Sequence, residues 1–162
     1  MADTSLGKKW EDKFKSTWSK CFYKTLVFRL KDQMNGFKET SQNPCDFFCL
    51  PTNELFMIEC KTHKGSSIPF KAIPQYERLL DYKDLANVHA GFMIWFSDHD
   101  TVIWVDEIEA EKMVNDGEKS IGLRMLKENK YKIKVLKVEM KYGYPNCDFN
   151  DFVEHYKEVN DE

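Results

Sequence analysis

The sequence predicts an α/β domain in which a mixed central β-sheet is flanked by helices, and three features of the chain predict it. Amphipathic helical patterns stand near both ends. Short β-prone runs bounded by turn residues lie between them, with further helical patterns among the runs. The resulting order, helix, strands, helix, strands, helix, is that of a sheet covered by helices. At 162 residues the chain is long enough for one domain with its own core and too short to expect two. A single domain over 1–162 is expected, with one flexible excursion at about 31–44.

From 6 to about 23, Leu6, Trp10, Phe14, Trp18 and Phe22 recur at every fourth position and lysines fill much of the rest, the pattern of an amphipathic helix. Residues 25–30 are β-prone, and the polar, Gly-containing stretch 31–44 reads as exposed. The apolar runs 46–50 and 55–61 flank Pro51-Thr52-Asn53-Glu54, whose turn chemistry predicts a β-hairpin. A loop over 62–69 leads into a helix over about 73–86, with Ile73, Tyr76, Leu79, Leu80 and Lys83 along one side. Residues 91–96 and 101–105 form two strands about the turn 97–100. There follow a short helix over 106–115, a lysine-rich strand over 131–139 with Ile133, Val135 and Val138 as its apolar side chains, and a last amphipathic helix over 149–159. Trp95, Trp104 and the stripe of Phe149, Phe152 and Tyr156 are most simply core.

Hydrophobic residues make up 42% of the chain and aromatics 14%, which excludes disorder despite the 31% that is charged. The longest apolar run, 91–96, is far below the roughly 20 residues a membrane helix needs. The first ten residues carry charges and no apolar segment of a secretory signal, so a cytoplasmic location is expected. Five cysteines without a CxxC pair predict reduced, buried thiols. The four histidines have no companion at ligand spacing; only His63, in the loop after the hairpin, stands near a candidate site. The net charge of −3 hides a division. Residues 1–80 hold 13 Lys and Arg against 9 Asp and Glu, a net +4, and the remainder holds 11 against 18, a net −7. The basic excess lies in the half that carries the candidate site, which fits a local phosphate-binding face, and a split this modest is also common in proteins that never meet nucleic acid.

The hairpin supplies the chemistry. A turn centred between Thr52 and Asn53 pairs residues whose numbers sum to 105, which sets Asp46 opposite Glu59 on one face of the sheet, with Cβ atoms roughly 5 Å apart. Like charges so placed need a cation, a shared proton or solvent. Lys61, two residues after Glu59, points to the same face. Oxygen ligands of this kind suit Mg²⁺. Glu11 lies on the predicted first helix about 20° from Trp18 and about 60° from Phe14, on the packed side, where a carboxylate needs a partner. Gln75, near the start of the second helix, carries an amide able to reach a phosphate or the lysine. The residues alone leave plainer readings open: Glu59-Cys60-Lys61 as a charge pair on an exposed strand, Glu11 reaching water beside the apolar stripe, and Gln75 on a helix surface.

Asp46, Glu59-Cys60-Lys61 on the next strand, Glu11 in the first helix and Gln75 in the following one resemble the PD-(D/E)xK nuclease superfamily. Within it the chain resembles the Holliday junction resolvases of the RecU and archaeal Hjc kind, in a compact phage-like version. The resemblance spans about 5–106 and includes Ser67-Ile68-Pro69-Phe70 and Gly91-Phe92-Met93-Ile94-Trp95-Phe96-Ser97. Two departures are visible: Cys45 separates Pro44 from Asp46, and 31–45 leaves room only for a short version of the RecU stalk.

The resemblance implies a restriction-endonuclease-like core and a magnesium-dependent endonuclease, Mn²⁺ substituting. Asp46, Glu59, Glu11 and the carbonyl of Cys60 would hold metal, Lys61 would orient the attacking water, and Gln75 would support Lys61. It also implies 5′-phosphate and 3′-hydroxyl products, four-way DNA junctions as substrate, a homodimer, and a bacterial or phage-infected bacterial cell as setting. The alternatives are a restriction or repair endonuclease without junction selectivity and an inactive module that binds DNA structure.

Overall fold

Trp10, Phe14 and Trp18 repeat at intervals of four, which places them on one stripe of a helix, and that helix forms over Thr4–Cys21 (α1). All three side chains are buried, and each contributes roughly 1.5–3 kcal/mol by leaving water. The structure is a computed structural model describing residues 4–22, 24–30 and 43–160. Tyr23 and most of the expected excursion at 31–44 lie outside the described residues.

The strands β1 (Leu26–Arg29), β2 (Phe47–Leu50) and β3 (Leu55–His63) follow α1. Next come β4 (Ser67–Pro69), the short helix α2 (Tyr76–Leu79), β5 (Val88–Phe96), β6 (Thr101–Asp106) and α3 (Glu107–Asn115). The chain closes with β7 (Ser120–Gly122), α4 (Met125–Glu128), β8 (Lys134–Val135), β9 (Val138–Lys141), β10 (Tyr144–Cys147) and α5 (Phe149–Asn160). Six strands form the central sheet in the order β1-β2-β3-β5-β6-β8. Among the described residues of this sheet only β3 and β5 run parallel; the other neighbours are antiparallel, so the sheet is mixed as expected.

One face of the sheet packs Phe56, Ile58 and Cys60 against α1 and α5, where Phe149 and Phe152 meet Trp18 and Phe14. The opposite face packs Met57, Phe92 and Ile94 against Ile73, Leu79, Ala110 and Met113. Burial on both faces explains why β3 and β5 read as continuous apolar runs without alternation. Among the described residues no helix is long and apolar enough to cross a membrane.

Three expectations are corrected. The helix expected over 73–86 shrinks to the four-residue α2 and one 3-10 turn, Leu80–Tyr82, with a separate 3-10 turn, Phe70–Ala72, before it. Pro74 is the cause at its start: the residue before a proline is kept out of the helical region, and Ile73 sits at φ −126°, ψ 64°. The loop expected over 62–69 contains the end of β3 and all of β4, which pairs with the distant β7. The strand expected over 131–139 divides into β8, on the central sheet, and β9, paired with β10. The phase shifts between them, so Leu136 is buried and Val135 faces solvent.

Candidate active site

The hairpin of β2 and β3 pairs Phe47 with Ile58, Phe48 with Met57 and Cys49 with Phe56, the register in which numbers sum to 105. Past Phe47 that regular register ends, and Asp46, one residue before β2, bonds one position out of step with it. Its N–H donates to the Ile58 carbonyl at 3.2 Å, and its own carbonyl accepts from Leu30 N–H at 2.8 Å. With the backbone held from both sides, the carboxylate turns to β3, where Oδ2 accepts from Cys60 N–H at 2.8 Å. The bond is charge-assisted and orients the carboxylate.

Glu59 and Lys61 lie two residues apart on β3 and share one face. Lys61 Nζ stands 2.8 Å from Glu59 Oε1. Glu59 is only 3% exposed. Burial pushes its carboxyl above the ordinary range, the Asp46 charge pushes the same way, and Lys61 opposes both. Cys60 turns its buried thiol to the α1 side, where burial raises it well above the usual thiol range. Only the Cys60 backbone serves the site. The N–H and carbonyl of a strand residue project from the same edge, so the carbonyl leaves β3 toward Asp46.

Glu11 projects from the flank of the buried stripe of α1 and is bound by the Arg29 guanidinium of β1. Asp12 takes the other arm of Arg29 at 3.2 Å. Burial and then the charge of Asp46 raise Glu11 to about 7, against the pull of Arg29 and Lys61. Four carboxylates, Glu11, Asp12, Asp46 and Glu59, thus share two cations, Arg29 and Lys61, when all are ionised. A buried excess of this sign is relieved by a proton or a further cation.

Among the described residues, no three His, Cys, Asp or Glu side chains are grouped so as to hold a metal ion. Two carboxylates, Asp46 and Glu59, lie within electrostatic reach of each other, and the Cys60 N–H that Asp46 accepts sets the Cys60 carbonyl on the same edge of β3. That set fits Mg²⁺, which binds through one or two carboxylates and keeps several waters. Glu11 stands within electrostatic reach of Asp46 but is engaged by Arg29. Gln75 precedes α2 with its Oε1 buried and without a hydrogen-bond partner, so it makes no bond to Lys61 through that atom. His63 ends β3 beside the Phe96 ring.

Arg29 was absent from the sequence-based site. Its signal was local, an arginine ending an otherwise apolar strand, but its partners lie 17 and 18 residues earlier, across a helix-to-strand turn.

A scan against models of known protein families finds no match, and no curated protein matches the chain in sequence. Among solved structures, the chain is similar to that of Hjc, a Holliday junction resolvase from the archaeal hyperthermophile Archaeoglobus fulgidus. The TM-score is 0.54 and the identity 16%, over 73% of this chain and 89% of that one. The likeness is one of fold: this chain has the mixed α/β architecture, a central sheet flanked by helices, of that resolvase structure.

Proposed function

We propose that the chain is a metal-dependent DNA endonuclease that selects four-way junctions. The observation that carries this reading is the convergence of Asp46, Glu59 and Lys61 at one hairpin, within a fold shared with a junction resolvase. The unbalanced negative charge there supports a cation as a working part.

Asp46 and Glu59, with the Cys60 carbonyl, are the residues that would hold Mg²⁺ or Mn²⁺. When bound, the ion supplies a more acidic water and neutralises charge building on the phosphate. Lys61, one-fifth exposed, reaches the open side of the site, where it orients the water and offsets phosphate charge. Glu59 keeps the ammonium in place. Arg29 holds Glu11, and Gln75, whose buried Oε1 is an uncommitted acceptor, is the residue that would support Lys61. Hydrolysis leaves the water oxygen on phosphorus, breaks the P–O3′ bond and puts a proton on the departing 3′-oxygen, giving 5′-phosphate and 3′-hydroxyl ends. The working form is a homodimer that places two sites on opposing strands, and Leu26, Phe28 and Leu50 on β1 and β2 supply exposed apolar surface for it.

One observation favours a second reading, a module that binds DNA structure without cutting: Glu11 is bound to Arg29 instead of joining the two other carboxylates. The test is incubation of labelled four-way junction and matched duplex with the chain in Mg²⁺, alongside Asp46→Asn and Lys61→Ala. Symmetric nicking of the junction alone, lost in both variants, is the expected result. Equal cutting of both substrates would discard junction selectivity for a restriction or repair type of nuclease. Tight binding without cutting would establish the second reading, and neither binding nor cutting would remove both.

A further inference from the structure

The hairpin of β9 and β10 turns on two residues, Tyr142 and Gly143, between the paired Lys141 and Tyr144. Both turn residues have positive φ, 53° and 79°. Such turns take Asn-Gly or Asp-Gly for stability, because a large side chain is unfavourable in the left-handed region. Tyr142 nevertheless occupies it and is 99% exposed. The ring gains no packing in return for the strained backbone, so folding does not account for tyrosine at this position.

The surroundings supply a partner's chemistry. Below the tip runs an open groove lined by Lys9, Asp12, Lys13, Ser16 and Tyr144. Among the described residues Lys9 and Lys13 have no ion-pair partner, whereas Asp12 is engaged by Arg29 and Lys141 by Glu139. The Tyr144 ring packs on Trp95 at 5.9 Å, and Trp95 pairs across the sheet with Thr62, the residue after Lys61. The tip therefore stands at the same end of the sheet as Lys61, on the α1 side. An exposed aromatic beside uncommitted cations is what contact with unpaired nucleic acid uses: the ring stacks on a base and the cations follow the phosphates.

We infer that the β9–β10 tip is a second nucleic-acid contact, in which Tyr142 stacks on an unpaired base while Lys9 and Lys13 hold the adjoining backbone. The inference rests on the nuclease reading for its ligand, but none of these residues belongs to the carboxylate site.

The test uses the full chain without divalent cation and DNA carrying 2-aminopurine, as single strand, at the crossover of a four-way junction, and in plain duplex. Wild type is expected to bind single strand and junction with a change in 2-aminopurine fluorescence that duplex does not show. Tyr142→Gly is expected to weaken that binding roughly tenfold and abolish the fluorescence change, and Tyr142→Trp to restore both. Glycine suits the left-handed turn, so Tyr142→Gly melts no lower than wild type and its loss of binding is not misfolding. Lys9→Ala with Lys13→Ala reduces the salt dependence of binding by up to about two ions. Wild-type binding left unchanged in Tyr142→Gly overturns the tip contact and leaves the nuclease reading intact; no binding of any DNA by wild type overturns both.

Discussion

The carboxylate of Asp46 accepts the backbone N–H of Cys60 at 2.8 Å, across the gap where the β2 ladder ends. The bond needs an acceptor, not a charge. Asp46→Asn retains an oxygen for it and removes the charge that raises both Glu59 and Glu11. Stability equal to wild type or higher by up to about 1 kcal/mol is expected, together with at least a hundredfold loss of cleavage. Thermal unfolding and single-turnover cleavage of a four-way junction measure the two; cleavage within tenfold of wild type would discard Asp46 as a functional ligand.

Lys61→Ala tests the charge pair through its pH dependence. Without Lys61 the Glu59 carboxyl rises further above its ordinary value of 4.5. The native state then keeps a proton that the unfolded chain has released, so stability falls as pH rises above the unfolded range. The variant is expected to lose little at pH 5 and about 3 kcal/mol at pH 8, with Glu59→Gln in the same chain restoring most of the loss. Urea unfolding at both pH values measures it, and an equal loss at pH 5 and 8 would show that Glu59 does not titrate in the variant.

Glu107 gives a similar signal outside the site. It is 3% exposed and raised to about 7, chiefly by burial, with the Ala90 N–H bond acting against the rise. Between its ordinary value of 4.5 and about 7 the folded state binds more protons than the unfolded one, so its contribution declines as pH rises through that window. At about 1.4 kcal/mol per pH unit the decline reaches about 3 kcal/mol. Glu107→Gln is expected to stabilise at pH 8 by that order and to change little at pH 4.5. A variant that tracks wild type across the range would place the titration elsewhere.

The legible parts of this chain were those decided within a few turns or one hairpin. The α1 stripe needed only an interval of four. The register of β2 and β3 needed only Pro51-Thr52-Asn53-Glu54 and an even count on either side; it holds from Phe47 to Cys49, and Asp46 lies just past it, bonded to Ile58 instead of facing Glu59 in register. Two of the missed features depend on distant partners, β4 on β7 and Arg29 on Glu11, whereas the hairpin of β9 and β10 is local and was missed because Tyr142-Gly143 lacks the usual Asn-Gly turn signal. The failed helix over 73–86 is a different case. Its apolar spacing was present, but Pro74 set the backbone of Ile73 first, and local steric exclusion prevailed over periodicity. Gln75 kept its place beside the short α2 while losing the long helix that was expected to aim it.

Gly91 is the position where the frame of the site can be tested without touching its chemistry. It pairs with Asp106 between β5 and β6, and an added Cβ would lie 2.5 Å from the Val105 carbonyl oxygen and 2.8 Å from Asp106 Cα and from the Trp104 ring. Two of those neighbours are backbone and cannot rotate away, so β6 must withdraw, and with it Asp106, whose Oδ1 caps α3 through Glu109 N–H at 2.7 Å. Gly91→Ala is expected to cost about 3 kcal/mol. Gly7→Ala in α1, with nothing within 4 Å of the new methyl, is expected to stabilise by about 0.5–1 kcal/mol. Urea midpoints of the two variants against wild type decide it. β5 also pairs Phe92 with Glu59, so a Gly91→Ala chain that unfolds at the wild-type midpoint would mean that β6 yields freely beside the strand that borders Glu59.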